Sequence, residues 1–298
     1  LFFVYTNRKS DYILAWSKTQ PQPQYINAEH KSGIKQSVNN NNNNNNNIES
    51  TVERLKAFYK HQFVNRMKAL KSTNMKYRQI ALVPQVICPG ITRVGTVSDG
   101  GKYVCSPWAM PPGCTIYSMG LKNQVTFDQE LMDISIQTHG EAKACNLFGF
   151  EMNTAIDKIY DGVPRARAFQ YEIAKVSNSS TMPERISIQD LMSRLGHNFV
   201  DILKIDIERA EYDALGEILR EKVNPATNGF TCQILIEIHE TQQRAVVLLQ
   251  QLETAGYYLF SKEANPFCSI CVEYSFIHET CRERYGVSKP FLRFFGEI

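Results

Sequence analysis

The chain has no apolar run long enough to cross a bilayer, and its mean hydropathy is −0.32. It also lacks a strong excess of either charge. Its 33 Lys and Arg face 30 Asp and Glu, a formal net charge of +3. A balance that close excludes the dense basic surface that would make nucleic acid the main partner. Repeated glycines are missing after the first core strand, where Tyr117-Ser118-Met119-Gly120 holds one glycine only. A dinucleotide fingerprint needs several, so no pyrophosphate cradle is expected. The chain does not open on Met but on Leu-Phe-Phe-Val-Tyr. We read Leu1–Tyr5 as the end of a signal anchor lying upstream, which would tether the protein to a membrane.

What is present is enough for one sizeable core: 298 residues, 43% of them hydrophobic. Residues 1–50 have no sustained periodicity and carry Gln-Pro-Gln-Pro-Gln at 20–24 and an unbroken Asn run from Asn39 to Asn47. Such a segment buries too little apolar surface to offset its ordering entropy, so a disordered stem is expected. Residues 51–87 form an amphipathic helical segment, because Val52, Leu55, Phe58, Tyr59, Phe63, Val64, Met67 and Leu70 recur at helical spacing. Its expected role is packing rather than lying on a membrane. Residues 88–298 make the main domain.

Within that domain strand and helix alternate. Strands are expected at 115–118, 145–150, 168–174, 200–208 and 232–239, with helices following Thr126, Ser187, Ala210 and the 240s. Thr126 with Gln129 has the form of a capping box, and Ser187 caps a helix that stops at Gly196. Alternation of this kind predicts an α/β fold with a largely parallel, doubly wound sheet. After Gly256 the pattern changes. Two strand-like runs, 257–261 and 270–277, are separated by Asn265-Pro266 with no helix between them. They must pair as an antiparallel hairpin at one edge. Residues 88–112 read as loop, with Asp99-Gly100-Gly101 as a turn.

The most informative stretch is Val200-Asp201-Ile202-Leu203-Lys204-Ile205-Asp206-Ile207-Glu208, followed by Arg209-Ala210-Glu211. It reads as a buried parallel strand that delivers Asp206 and Glu208 to the carboxyl rim of the sheet, where open α/β folds bind ligands. Strand alternation would point both carboxylates the same way. This string resembles the signature of FkbM-type S-adenosylmethionine-dependent methyltransferases, whose usual form is D-x-E-G-A-E; here Arg209 stands where Gly is expected. Asp99-Gly-Gly-Lys102-Tyr-Val-Cys105 is similar to a string found in methyltransferase-like proteins of the animal secretory pathway. The resemblance covers Cys88 to about His278. It implies a Rossmann-like, seven-stranded methyltransferase sheet, S-adenosylmethionine as cofactor, and O-methylation of a small molecule or a glycan.

In that frame Tyr117, Ser118, Gly120, Glu151 and Asp206 are the expected cofactor-binding residues. Gly120 lets backbone approach the ligand, and Glu151 ends the second strand where a carboxylate can accept both ribose hydroxyls. Asp206 and His239 are the expected catalytic pair, with Asp206 positioning and His239 taking a proton near working pH. Glu208 and Glu237 lie at the same strand ends. No metal is expected, although these acids could hold a divalent ion, as in some O-methyltransferases. A non-catalytic binding protein of the same fold is the main alternative and an NAD-type oxidoreductase the lesser one.

Eight cysteines, an even number, suit a disulfide-bearing domain. Cys88 and Cys105 bracket the Asp-Gly-Gly turn, and a bridge between them would stabilise by about 3 kcal/mol and steady Lys102 and Tyr103 over the cleft. Cys145 and Cys232 read instead as small core residues. Cys268-x-x-Cys271 with His278 and Cys281 beyond has the outline of a zinc site, but the second half is irregularly spaced. Bridges and the sequon Asn178-Ser179-Ser180 point to the secretory pathway, in the Golgi lumen or membrane-anchored.

Overall fold

Alternating apolar patterns become alternating strands and helices in the computed structural model, which describes residues 37–153, 156, 158–222, 230–239 and 242–296. The chain divides into two compact units, Leu1–Asn44 and Asn45–Ile298, and the architecture below is that of the second. Helix α1, Ser37–Leu70, starts well before Thr51 and takes in the asparagine run that the sequence assigned to the stem. Asn is only mildly unfavourable in helices, and extending an existing helix costs far less than nucleating one. The rest of the expected stem, with Leu1–Tyr5, lies outside the described residues. Val52 and Leu70 of α1 are buried, and Tyr59 stacks on Phe291 at 5.9 Å, so this face packs on protein. Among the described residues no helix is long and apolar enough to cross a membrane.

After α2, Met75–Ala81, comes a hairpin of β1, Ile91–Val94, and β2, Lys102–Cys105. The stretch expected to be loop therefore holds two short strands, with the Asp-Gly-Gly turn between them. The order then runs β3 Thr115–Met119, α3 Thr126–His139, β4 Asn146–Glu151, β5 Ala166–Ile173, β6 Glu184–Ile186, α4 Ile188–Leu195 and β7 Val200–Ile205. It ends with α5 Glu211–Lys222, β8 Thr231–His239, α6 Gln242–Thr254, β9 Tyr257–Ala264 and β10 Cys271–His278. The caps divide. Ser187 Oγ accepts from Asp190 N at 3.1 Å and Gly196 ends α4 in the left-handed region, as expected. Thr126 is already inside α3, whose N-terminus has no side-chain cap.

The main sheet has the order β6-β5-β4-β3-β7-β8-β10-β9. The six strands from β6 to β8 are parallel, and β10 runs antiparallel between β8 and β9. The edge hairpin is thus present, but the sheet has eight strands, not seven, because three-residue β6 pairs with the edge of β5. β7 and β8 are buried along their whole length, which explains their near-continuous apolar sequence. Helix α3 packs on one face of the sheet and α4, α5 and α6 on the other, each with its own apolar cluster. The β1–β2 hairpin lies on the α3 face. Gln233 of β8 donates to Cys105 O and accepts from Cys105 N, both at 2.9 Å, and Ser275 of β10 donates to Tyr103 O at 2.8 Å.

All eight cysteines are bridged: Cys88–Cys105, Cys114–Cys145, Cys232–Cys281 and Cys268–Cys271. The expected Cys88–Cys105 bridge is there, its Cα atoms 6.0 Å apart. Cys145 and Cys232 are buried, yet each is half of a disulfide rather than a plain core residue. The Cys268/Cys271/His278/Cys281 zinc outline dissolves. Cys281 bonds elsewhere, and the His278 ring lies against Ala255 O and Thr280.

Candidate functional site

Four strand ends meet at the carboxyl rim. Asp206 N donates to Met119 O and Gly120 N to Phe150 O, both at 2.9 Å, which stitches the ends of β7, β3 and β4 together. Gly120 has φ +81°, and a Cβ there would sit 1.7 Å from Asp206 O. Only glycine fits so close a backbone approach. Its carbonyl accepts from Lys204 Nζ at 2.9 Å. Above these ends opens a cavity of about 850 Å³, and Gly120, Glu151, Asp206 and His239 all line it. Tyr117 and Ser118 do not. On β3 they alternate into the two cores, Tyr117 hydroxyl meeting His197 Nδ1 at 2.7 Å and Ser118 lying beside Asp128. Strand alternation carries both away from the rim.

The β3–β4 side of the cavity is organised by Glu151. Its Oε2 accepts from Leu121 N (2.9 Å) and Lys122 N (2.8 Å), and its Oε1 from Met152 N and Asn153 N, both 2.8 Å. Burial works to raise its pKa, but these four donors outweigh it and hold the carboxyl below its ordinary value. Glu151 therefore clamps the loops after β3 and β4. Four acceptor positions are about all a carboxylate offers, so ribose hydroxyls there would replace backbone donors.

The β7–β8–β10 side is built from side-chain charge. Lys102, the lysine of the Asp-Gly-Gly-Lys string, does not sit over the cleft. It reaches beneath it, almost wholly buried, to pair with Glu273 of β10 and with Asp206 at 3.6 Å. Burial opposes its charge, and Glu273 and Asp206 more than restore it. Burial also works to raise Asp206, but Lys102 and Lys204 hold it below its ordinary value. Glu237 goes the other way. Burial, then Asp206 and Glu273, push its pKa up to about 7. Two carboxylates this close divide their titration, one ionised and one holding a proton near neutrality. Asn265 of the β9–β10 loop donates from Nδ2 to Glu237 Oε1 at 2.8 Å and to Asp99 Oδ1 at 3.0 Å. That ties the Asp-Gly-Gly turn to the rim.

His239, the last residue of β8, stands between two acids. Nδ1 lies 3.2 Å from Glu211 Oε1 and Nε2 lies 3.1 Å from Glu208 Oε2. Glu211 is fully buried and also accepts from His239 N at 3.1 Å, whereas Glu208 is exposed. The bond to Glu211 raises the imidazole pKa despite burial. Strand β7 stops at Ile205, so Asp206 and Glu208 do not share a strand face as expected. Glu208 and Arg209 instead take φ of +52° and +80°. The turn demands the left-handed region, which is why glycine suits the position that Arg209 fills.

A family model described as a methyltransferase domain matches residues 31–278. The chain belongs to that family. No curated protein matches it. Solved structures with related architecture include a protein of the NADB-Rossmann superfamily from Streptococcus agalactiae, at 8% identity and TM-score 0.36. That match covers 57% of this chain, which spans 65% of that one. The fibrillarin pre-rRNA processing protein of Methanococcus jannaschii aligns at 11% identity and TM-score 0.40, over 66% of this chain and 96% of its own. Aeropyrum pernix fibrillarin, solved with natively bound S-adenosyl-L-methionine, aligns at 11% and 0.36, over 64% and 84%.

The cofactor of this methyltransferase domain is S-adenosylmethionine. The cavity suits it in size and charge. Asp99, Glu151, Glu172, Asp206, Glu208 and Glu237 line it against Lys122, Lys204 and Arg209. Excess carboxylate favours a ligand with a sulfonium and an ammonium, and the three cations can meet its single carboxylate. Lys204, Glu211, Asn265 and Glu273 were not singled out as site residues in the sequence. Lys204 and Glu211 lay inside the acidic stretch already quoted, but nothing local announced a site role for Asn265 or Glu273.

Proposed function

We propose that this domain transfers the methyl group of S-adenosylmethionine to a hydroxyl oxygen of a small molecule or glycan, with His239 as the base. The observation that carries this reading is the His239–Glu211 pair. A buried carboxylate that accepts the hydrogen bond from Nδ1–H leaves Nε2 as the atom facing the cavity. Glu208 is on an exposed turn and can yield Nε2 to an acceptor hydroxyl. The cofactor supplies an electrophilic methyl group, and the chain supplies position, charge and a proton acceptor. Gly120, Glu151 and Phe150 form the side we assign to the cofactor; Asp206, Glu237 and Asn265 form the acceptor side.

We further place the chain with the FkbM-type methyltransferases of the secretory pathway. The left-handed turn at Arg209, where that signature carries glycine, supports the first part. Eight bridged cysteines support an oxidising compartment, because such bonds persist there and are rare in the cytosol. A tether upstream of residue 37 is part of the same proposal.

The test is turnover. Purified protein with S-adenosylmethionine and a panel of polyols, monosaccharides and glycans should release S-adenosylhomocysteine with at least one of them. His239→Ala should then lower kcat by roughly 10²–10⁴-fold. The wild-type rate should rise with pH through a midpoint above 6.5, since a base of raised pKa is neutral only above it. Undiminished turnover by the alanine variant removes His239 from the role. A second reading, binding without turnover, is favoured by one observation: the Glu151 carboxylate is fully engaged by backbone. Calorimetry separates the two: binding of S-adenosylmethionine by the folded protein selects the first, and no measurable binding selects the second, a fold kept for another ligand.

A further inference from the structure

The Cys268–Cys271 bridge differs from the other three. Cys88, Cys105, Cys114, Cys145, Cys232 and Cys281 are all buried, whereas Cys268 is half-exposed on the β9–β10 loop. Its bridge spans three positions of sequence against 17, 31 and 49 for the rest. In the chain-entropy picture the smallest loop stabilises least. This is therefore the bridge a reductant reaches first and the fold needs least. Cys271 itself faces the cavity beside groups of a different chemistry. On antiparallel β8 and β10, Cys271 pairs directly with His239, and Glu237 lies two residues along β8 on the same face. One ligand atom from each of the three lies within 4.8 Å of the other two, and all three residues are buried.

We propose that Glu237, His239 and Cys271 form a zinc site that becomes competent when the Cys268–Cys271 disulfide is reduced. One sulfur, one imidazole and one carboxylate are the donors zinc takes, and three protein ligands leave a fourth position open to the cavity. Ligand atoms around tetrahedral zinc sit roughly 3.5 Å apart, so the three need close by only about 1 Å. The support behind the histidine is already built. Glu211 holds Nδ1, the carboxylate–imidazole arrangement that fixes a zinc-binding histidine and leaves Nε2 for the metal. The carboxylate excess of the cavity favours a divalent cation.

The chemistry balances with a dithiol as reductant. Two electrons and two protons pass to the Cys268–Cys271 bond, giving two thiols, while the dithiol closes to a cyclic disulfide. Zinc then displaces the Cys271 proton. Bound zinc would occupy His239 Nε2, so this site and the base compete for one atom. The proposal does not depend on methyl transfer and is tested without it.

Cys268→Ser frees the Cys271 thiol with no reductant and leaves the other three bridges intact; Cys271→Ser removes the ligand. Each is equilibrated with buffered zinc, and bound metal is measured by elemental analysis and by competition with a chromophoric chelator. Cys268→Ser should bind one zinc per chain at least 100-fold more tightly than oxidised wild type or Cys271→Ser. Adding His239→Ala to it should abolish the gain. Equal binding by the two serine variants, or none by a folded Cys268→Ser, overturns the site. If Cys268→Ser does not fold, wild type is treated with a dithiol until two thiols titrate. Zinc uptake that follows the two thiols supports the site, and their release without uptake overturns it.

Discussion

The two sides of the cavity solve one problem, a carboxylate held at a strand end, in opposite ways. Glu151 is satisfied entirely by backbone: four N–H donors, no cation, and a pKa held down by hydrogen bonds. Asp206 is satisfied by buried lysines, and its neighbour Glu237 carries the cost as a raised pKa. Backbone donors are fixed by the loops they belong to, so the Glu151 side is rigid and its charge barely responds to pH near neutrality. Side-chain charges depend on one another, so the Asp206 side is where pH, substitution and cations act.

The largest effect should come from removing the cation under Asp206. Lys102→Met leaves Asp206 and Glu273 facing each other in the interior, and Glu273 Oε2 already has no partner. Breaking a buried pair from one side costs about 3–5 kcal/mol. Urea unfolding at pH 7 should show that loss, with partial recovery at pH 5 as the acids take protons. No recovery would mean the lysine acts by packing alone.

Glu151→Gln should cost about 2 kcal/mol, because an amide oxygen accepts from only some of the four donors. The sign follows from the depressed pKa. The stabilisation is present above the ordinary carboxylate value of 4.5 and lost as pH falls through the lower folded one. The difference between wild type and variant should therefore vanish in acid. A gap that persists in acid, once the carboxyl is protonated in both states, would break the contrast between the two sides.

Glu237→Gln tests the other half. A folded pKa of about 7 against 4.5 means the native state binds the extra proton, so stability falls as pH rises between these values. Glutamine mimics the protonated acid and can still accept from Asn265. The variant should be more stable than wild type at pH 8, by roughly 2 kcal/mol, and equal to it near pH 4. A Tm profile parallel to wild type from pH 4 to 8 would place the shared proton elsewhere.

The smallest effect belongs to the turn that joins the two sides. Arg209 at φ +80° is strained, and Arg209→Gly should relieve more than glycine loses in unfolded-chain entropy. A gain of about 1 kcal/mol in urea unfolding is expected. A loss would show that the Arg209 side chain contributes more than its backbone costs.

The alternation of the core strands and helices, the parallel sheet with its antiparallel edge hairpin, Gly120, the acids at the strand ends and the Cys88–Cys105 bridge were legible in the sequence, whereas β1, β2 and β6 were not. Each legible feature rests on a local signal: apolar period, a turn, a spacing. Local signals also misled. The side-chain period of a strand was carried past Ile205 to Glu208, but the chain leaves the strand there and its carboxylates part. Tyr117 and Ser118 sit in the right segment, yet the same period turns them into the cores. Only the tertiary structure decided which distant groups meet: Lys102 with Glu273 and Asp206, Asn265 with Asp99 and Glu237, and Cys271 opposite His239. Those meetings depend on strand order and register, which arise when the sheet closes, and no short-range pattern encodes the energy of charges brought together from residues 99 to 273 of one chain.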